Sequence, residues 1–277
     1  MKNTIEYQRL SASAASIRAK TDFVPEIGVV FGSGLSGLFD GVIEVAATIP
    51  YSEIVNFPTA TVSGHRGRLI LGNISGKKVA VLEGRCHCYE GYSAQQVVAP
   101  IRTLGLLGVK KLILTNAAGG VNKQFFPGDL MLISDQISTF VQSPLTGENI
   151  DELGVRFPDM GAVYDVRVKQ AVMSAADKLN IPLQTGTYIQ VNGPQYETPK
   201  EVKMLSSFGA DAVGMSTAVE AIAARHMGMR VGGISCITNF AGIGEHGGEL
   251  SHEEIKQAVA KVEKDLQALL IETIKNI

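Results

Sequence analysis

Lys78-Val79-Ala80-Val81-Leu82-Glu83-Gly84-Arg85-Cys86-His87-Cys88-Tyr89-Glu90-Gly91-Tyr92 reads as a buried strand running into a cationic loop. Ser93 then caps a helix that reaches about Leu107, and Gly108 ends it. Arg85 and His87 are two apart, so on extended backbone their side chains point the same way. A guanidinium and an imidazole aimed at one point make an oxyanion receptor, because Arg offers a rigid fork of donors. Cys86-His87-Cys88 could also be read as part of a metal site, but no second cluster supplies further ligands at a familiar spacing. Two buried cysteines flanking a functional histidine is the simpler reading.

The same strand–loop–helix alternation extends in both directions. Residues 3–20 read as an amphipathic helix with Ile5, Leu10, Ala14 and Ile17 among its apolar positions, and Ile27-Gly28-Val29-Val30-Phe31 as a short buried strand. Strands are expected near 43–49, 68–74 and 77–83. Lys111-Leu112-Ile113-Leu114-Thr115 is a strand expected to enter a tight turn at Asn116-Ala117-Ala118-Gly119-Gly120, and Leu130-Met131-Leu132-Ile133 is another strand. Beyond 163 come helices near 165–179, 199–207 and 217–227, strands near 183–191, 211–215 and 230–237, and a last helix after the capping-box pattern Ser251-His252-Glu253-Glu254. The polar stretch 141–163, punctuated by Pro144, Gly147, Gly154, Pro158 and Gly161, reads as a functional loop. Alternation of the same character on both sides argues against an interdomain linker. The chain is therefore expected to be a single α/β domain, residues 1–277, around a large central sheet.

The 277 residues suffice for a large core, and 45% apolar with 19% charged residues is a folded composition. A net charge of −2 with dispersed basic residues gives no footprint for nucleic acid. No apolar run approaches a membrane span, and the first ten residues lack an apolar signal core. Three cysteines cannot build a disulfide framework, which points to a reducing, cytoplasmic setting.

Gly32-Ser33-Gly34-Leu35-Ser36-Gly37 follows a strand and matches G-x-G-x-x-G. The segment after it has Gly41 and β-branched residues where a dinucleotide fold needs a crossover helix, and no acidic residue ends the next strand on the ribose side. The loop can still hold one phosphate through backbone N–H groups and Ser33 Oγ, or be an ordinary glycine-rich turn. Two candidate anion loops without a nucleotide-hydrolysis motif point to phosphate as a reactant. Ser63-Gly64-His65-Arg66-Gly67 alone reads as a solvated turn, and it gains weight only beside the Arg85 loop. In Asn192-Gly193-Pro194-Gln195-Tyr196-Glu197-Thr198-Pro199, Thr198 and Pro199 are a standard helix start, which leaves Glu197 unexplained. Ser216 can bind an anion or cap the helix that follows. Thr238 and Asn239 end a buried strand with polar groups, as a site or as a turn.

In this order, Gly32-Ser33-Gly34-Leu35, Ser63-Gly64-His65, Gly84-Arg85 through Tyr92, Thr115-Asn116-Ala117-Ala118-Gly119-Gly120, Tyr196-Glu197-Thr198, Gly214-Met215-Ser216-Thr217, Thr238-Asn239 and Ser251-His252-Glu253-Glu254 resemble the trimeric purine nucleoside phosphorylases. The resemblance spans essentially the whole chain. It implies a mixed, twisted, partly barrel-like sheet flanked by helices. It also implies phosphorolysis of 6-oxopurine (deoxy)ribonucleosides to free base and sugar 1-phosphate. Phosphate would be a co-substrate, with no cofactor or metal. By motif match, Ser33, Arg85, His87, the Ala117 N–H and Ser216 hold phosphate, with His65 close by. Tyr89 and Met215 contact the ribose, and Tyr196 lines the pocket. Glu197 and Asn239 read the purine beside Thr238, and His252 meets the 5′-hydroxyl. Asn239, Glu197 and His87 are the catalytic candidates. Phe157 reaches a neighbouring subunit's site in a homotrimer. Two departures stand out: Tyr196 where the family usually has Phe, and Ala218-Val219-Glu220 where it tends to have Val-Pro-Glu. The competing expectations are a methylthioadenosine phosphorylase, an NAD-dependent oxidoreductase using the Gly32–Gly37 loop, and a non-catalytic nucleoside-binding protein.

Overall fold

The computed structural model describes residues 4–59, 61, 65–242 and 252–277, the side chains of 252–256 excepted. The elements follow in the order α1 (Ile5–Arg18), β1 (Ile27–Phe31), β2 (Glu44–Pro50), β3 (Arg68–Ile74), β4 (Lys77–Glu83), α2 (Ala94–Val97), α3 (Ala99–Leu107), β5 (Lys111–Gly120), β6 (Leu130–Ile137), α4 (Val166–Leu179), β7 (Leu183–Gln190), α5 (Pro199–Ser207), β8 (Ala212–Gly214), α6 (Ala218–His226), β9 (Arg230–Phe240) and α7 (His252–Asn276). The strands form one mixed sheet in the order β2-β3-β4-β1-β5-β8-β7-β6-β9, and β9 pairs again with β5. Strands β5, β8, β7, β6 and β9 thus close into a barrel-like ring, from which β1, β4, β3 and β2 extend as a wing.

The period of two decides how this sheet is covered. Alternate residues of β1 enter different cores: Val30 joins Ile17 of α1 and Leu104 of α3, whereas Val29 and Phe31 join Val172 of α4 and Leu266, Leu269 and Leu270 of α7. All of β1 is buried because both faces are covered, which explains its unbroken apolar run. Of the apolar positions expected in the first helix, Leu10, Ala14 and Ile17 are buried, but Ile5 in the first turn is exposed.

Two elements differ from expectation. Ser93 does cap a helix, accepting from Gln96 N, but that helix breaks at Val98 and restarts as α3. Pro100 has no N–H to continue the first ladder, and its fixed φ suits a new helix start. Asn116–Gly120 is not a turn. It continues β5 to ten residues and pairs with β9, with one register shift between Ala118 and Gly119. The small residues there serve close packing, since a Cβ at Gly119 would lie 3.2 Å from Asn239 Nδ2.

The Gly32–Gly37 loop leads through turns to β2 with no helix between, so the element a dinucleotide fold requires is missing there. Among the described residues no helix is long and apolar enough to cross a membrane. Leu266 sits fully buried where α7 meets the sheet. Leu266→Ala is expected to lower unfolding free energy by ~2–5 kcal/mol, measured by urea titration at fixed protein concentration.

Candidate active site

One edge of β5 is shared. Its first half pairs with β1 as far as Leu114, and its last two residues pair with β8. Between those pairings Thr115–Ala118 leave a gap in the sheet, and the ends of β1, β4 and β8 open onto it. Ligands in open α/β sheets bind at such divergences. The cavity here measures about 140 Å³, and Ser33, Arg85, His87, Ala117 and Ser216 are among its lining residues.

Several of these lining groups are held by partners within the fold. Gly32 N–H donates to Thr115 Oγ1 at 3.3 Å. A Cβ at Gly32 would lie 2.8 Å from Asn116 Cα and 3.2 Å from Arg85 Nη1, so only glycine lets this loop lie on β5 and bring Ser33 to the pocket. Arg85, 4% exposed, donates through Nη1 to the Thr115 carbonyl. Its Nε donates to Glu220 Oε1 at 3.2 Å, and Nη2 lies 3.2 Å from Glu220 Oε2. The hydrogen bonds of Nε and Nη1 hold the guanidinium in place, and Nη2 is buried without a hydrogen-bond partner among the described residues. His87 is aligned in the same way, with Nδ1 2.9 Å from Glu90 Oε1. Burial pushes the Glu90 carboxyl up, but hydrogen bonds from His87 and Thr61 outweigh it and bring the group down to about 2. A carboxylate on Nδ1 turns Nε2 away from Glu90, and Tyr89 stacks on the imidazole at 4.6 Å. His65 packs behind His87, with ring centroids 5.8 Å apart, whereas Ser63 and Gly64 lie outside the described residues.

The β8–α6 junction resolves the two readings of Ser216. The cap falls one residue later, on Thr217, whose N–H donates to Glu220 Oε2 at 3.0 Å. Thr217 has φ +79°, a conformation that costs a β-branched residue energy and that concentrates at functional sites. Ser216 is thereby left facing the pocket, with its Oγ 3.5 Å from Arg85 Nη1 and its N–H toward Tyr188 Oη.

The far end of the cavity is built from Tyr196, Glu197, Met215, Thr238 and Asn239. Thr238 is the extra residue of a bulge: Ala118 pairs with Ile237 and Gly119 with Asn239. Bulges re-aim side chains, and this one brings Thr238 and Asn239 to the pocket together. Thr238 Oγ1 donates to Asn239 Oδ1 at 2.9 Å, and Asn239 Nδ2 donates to the Phe240 carbonyl. Burial pushes the Glu197 carboxyl up, outweighing a hydrogen bond from its own backbone N–H, with a smaller upward contribution from Glu201.

Most sequence-derived candidates therefore meet around one cavity. Phe157 does not: it is 88% exposed on the 141–163 excursion. His252 begins α7, but its side chain lies outside the described residues. Sequence reasoning missed Glu220 as the partner of Arg85, although Thr217-x-x-Glu220 has the same capping-box spacing as the Ser251 segment. It also missed Asn116, whose Nδ2 donates to Thr217 Oγ1 while its buried Oδ1 has no hydrogen-bond partner among the described residues. Among the described residues no group of three or more His, Cys, Asp or Glu side chains could hold a metal. Cys86 and Cys236 are buried thiols pushed up to about 12 by burial, in line with packing roles.

Fold and site together define an α/β pocket lined by an arginine, two serines, a histidine, a carboxylate and an amide. The sequence model of the phosphorylase superfamily matches residues 26–275. Purine nucleoside phosphorylase 1 of Geobacillus stearothermophilus is 46% identical over 97% of both chains. Purine nucleoside phosphorylase 1 of Bacillus subtilis is 48% identical over 92% of this chain and 93% of that one. The crystal structure of Schistosoma mansoni purine nucleoside phosphorylase in complex with inosine superposes with a TM-score of 0.91 at 38% identity, covering 98% of this chain and 96% of that chain. The chain belongs to the phosphorylase superfamily and, within it, to the purine nucleoside phosphorylases.

Arg85 and Glu220 are both almost fully buried, so removing one leaves the other charged and unpaired. Glu220→Ala is expected to cost about 3–5 kcal/mol of stability in chemical denaturation, and Glu220→Gln, whose single amide oxygen still accepts from one of the two donors, less.

Proposed function

We propose that the protein catalyses phosphorolysis of 6-oxopurine (deoxy)ribonucleosides such as inosine and guanosine. Inorganic phosphate is the co-substrate, and the products are the free base and (deoxy)ribose 1-phosphate. The observation that carries this reading is that one cavity is lined both by Ser33, Arg85, His87 and Ser216 and by Glu197 and Asn239. The chain acts as a single domain, its own phosphate and base groups lying on one sheet.

Breaking an N-glycosidic bond puts positive character on the sugar and negative charge on the departing base. Phosphate gripped by Arg85, His87, Ser33, Ser216 and the Ala117 N–H lies against C1′, with His65 supporting the imidazole from behind. It places anionic charge beside the developing cation and is also the nucleophile. Holding it there replaces a bimolecular encounter. The supporting carboxylates, Glu220 behind Arg85 and Glu90 behind His87, keep both donors aimed before the ligand arrives, so little reorganisation remains for the reaction.

At the other end, the Asn239 amide donates toward N7 and O6 as electron density enters the ring, with Thr238 orienting it. Glu197 accepts from N1–H and from a 2-amino group where one is present. Its raised affinity for a proton follows from burial, which outweighs a hydrogen bond from its own backbone N–H, and a bound purine N–H adds a further donor to the carboxylate. Tyr89 and Met215 flank the ribose, Tyr196 lines base and sugar, and His252 meets the 5′-hydroxyl. Phe157, displayed to solvent, completes a neighbouring subunit's site in a homotrimer. The chemistry requires no cofactor, since the charge-stabilising groups are all side chains, backbone and phosphate.

The methylthioadenosine reading is not favoured, because an amide at Asn239 suits the two acceptors of a 6-oxopurine. A 6-amino group leaves that amide mismatched, at a cost of about 1–3 kcal/mol, or roughly 10–100-fold. Base release is expected from inosine and guanosine only when phosphate is present, with adenosine far behind. Asn239→Asp narrows or reverses that ranking in kcat/KM, and an unchanged ranking contradicts the assignment.

Arg85 is expected to act on phosphate more than on nucleoside. Because Arg85→Ala also strands Glu220, the informative variant is the double replacement Arg85→Ala with Glu220→Gln. Its KM for phosphate rises well above any change in the KM for inosine; equal rises place Arg85 elsewhere.

A further inference from the structure

The excursion that carries Phe157 is pinned at two backbone carbonyls, one on each side of that residue. Arg225 Nε donates to the Asp159 carbonyl at 3.3 Å, and His226 Nε2 lies 3.1 Å from the Val155 carbonyl. Both side chains come from the last turn of α6. Behind the imidazole, Arg102 Nη1 lies 3.4 Å from His226 Nδ1. Arginine can only donate, so Nδ1 accepts and Nε2 carries the proton that reaches Val155. Gly154 makes the approach possible: a Cβ there would collide with the His226 carbonyl oxygen.

The excursion is also closed on itself. Asn149 Nδ2 donates to the Gly154 carbonyl and Arg156 Nη1 to the Leu145 carbonyl, both at 2.9 Å. These contacts fix backbone, and although the Arg156 guanidinium lies over the ring at 5.6 Å from its centroid, the Phe157 phenyl is still 88% exposed on that support. A loop serving only to connect β6 to α4 would gain more by burying that ring than by presenting it.

We propose that Arg225 and His226, with Arg102 fixing the imidazole, are positioning residues that present Phe157 to a second copy of the chain. The inference rests on the reading above, in which Phe157 completes a neighbour's nucleoside site. The first turn of α6 carries Glu220, which aims Arg85, and its last turn carries the pin, roughly 9 Å along the axis at 1.5 Å per residue. One short helix therefore sets both the chain's own anion receptor and the residue it lends to its neighbour.

The chain contains no Trp, so Phe157→Trp introduces a single indole fluorophore at the tip. In that background His226→Ala is expected to lower the fluorescence anisotropy of the indole and to increase its quenching by acrylamide. In the Phe157 chain it is expected to lower kcat/KM for inosine by on the order of 10- to 100-fold, as a misplaced contact group does. The loss falls on the nucleoside KM, with the phosphate KM unchanged. His226→Gln, whose amide still donates to the Val155 carbonyl, restores both readouts. Should His226→Ala fail to fold, Arg225→Ala, which removes only the Asp159 anchor, carries the same measurements. Unaltered anisotropy and wild-type nucleoside KM in a folded pin variant overturn the proposal. Anisotropy that falls in the pin variants while Phe157→Ala keeps full activity upholds the pin and sinks the shared-site reading instead.

Discussion

Strand β5 has to serve two neighbours along a single edge, and the pocket exists because it cannot pair with both at once. Next to β1 it is parallel and apolar; next to β8 it is antiparallel and small-sided. Between the two pairings its backbone polar groups on that edge have no strand to bond. Buried groups in that position must find partners, and they find side chains. The Thr115 carbonyl takes Arg85, and the Thr115 hydroxyl takes the Gly32 N–H. The missing ladder and the cavity are thus one structural event: what β5 loses as a strand becomes the support for the loops that line the cavity.

The charges follow from that geometry. A guanidinium brought into a sheet interior cannot stay unpaired, and Glu220 meets it. Glu90 does the same for His87. Each carboxylate reduces the net positive charge available to an incoming anion, which weakens long-range attraction. What is gained is direction, since neither side chain can swing to solvent or to the other's partner. A receptor built this way favours an anion that fits the fixed donors over one that merely carries more charge.

Much of this was legible in the chain, and the parts that were not share a cause. The apolar runs at 27–31, 68–74 and 77–83 coincide with β1, β3 and β4, because strands buried on both faces or alternating on one leave a plain pattern. Asn116–Gly120 was misread, since Asn, Ala and Gly have turn chemistry and only the neighbouring β9 makes the segment a strand. The break at Val98 was written in Pro100 but hidden by good helix formers on both sides. Site residues carrying unusual side chains after a strand, such as Arg85 and Glu197, stood out. Residues acting on those residues did not: Glu220 looks like a helix cap and also is one, and nothing local shows that its other oxygen reaches Arg85. The Thr238 bulge depends on the register between β5 and β9, which no single segment contains.

Making room for a ligand in a sheet is costly, and the structure shows where the cost falls. Asn116–Gly120 gives up bulky side chains, and with them the cross-strand packing that ordinarily holds a strand. Thr217 sits at a positive φ that disfavours a β-branched residue. Both features border the cavity, and both are braced by long-range contacts: the segment is paired with β9 along its whole length, and Thr217 is held by Glu220 and Asn116. Asn116 belongs to the one and braces the other. Relaxing Thr217 to an ordinary helical start would remove the acceptor for the Asn116 amide and turn Ser216 from the pocket, so the strained residue and the weak strand hold each other in place. The stability of that corner comes from pairings distant in sequence, while the residues that touch ligand stay small or fixed, so that binding need not work against the fold.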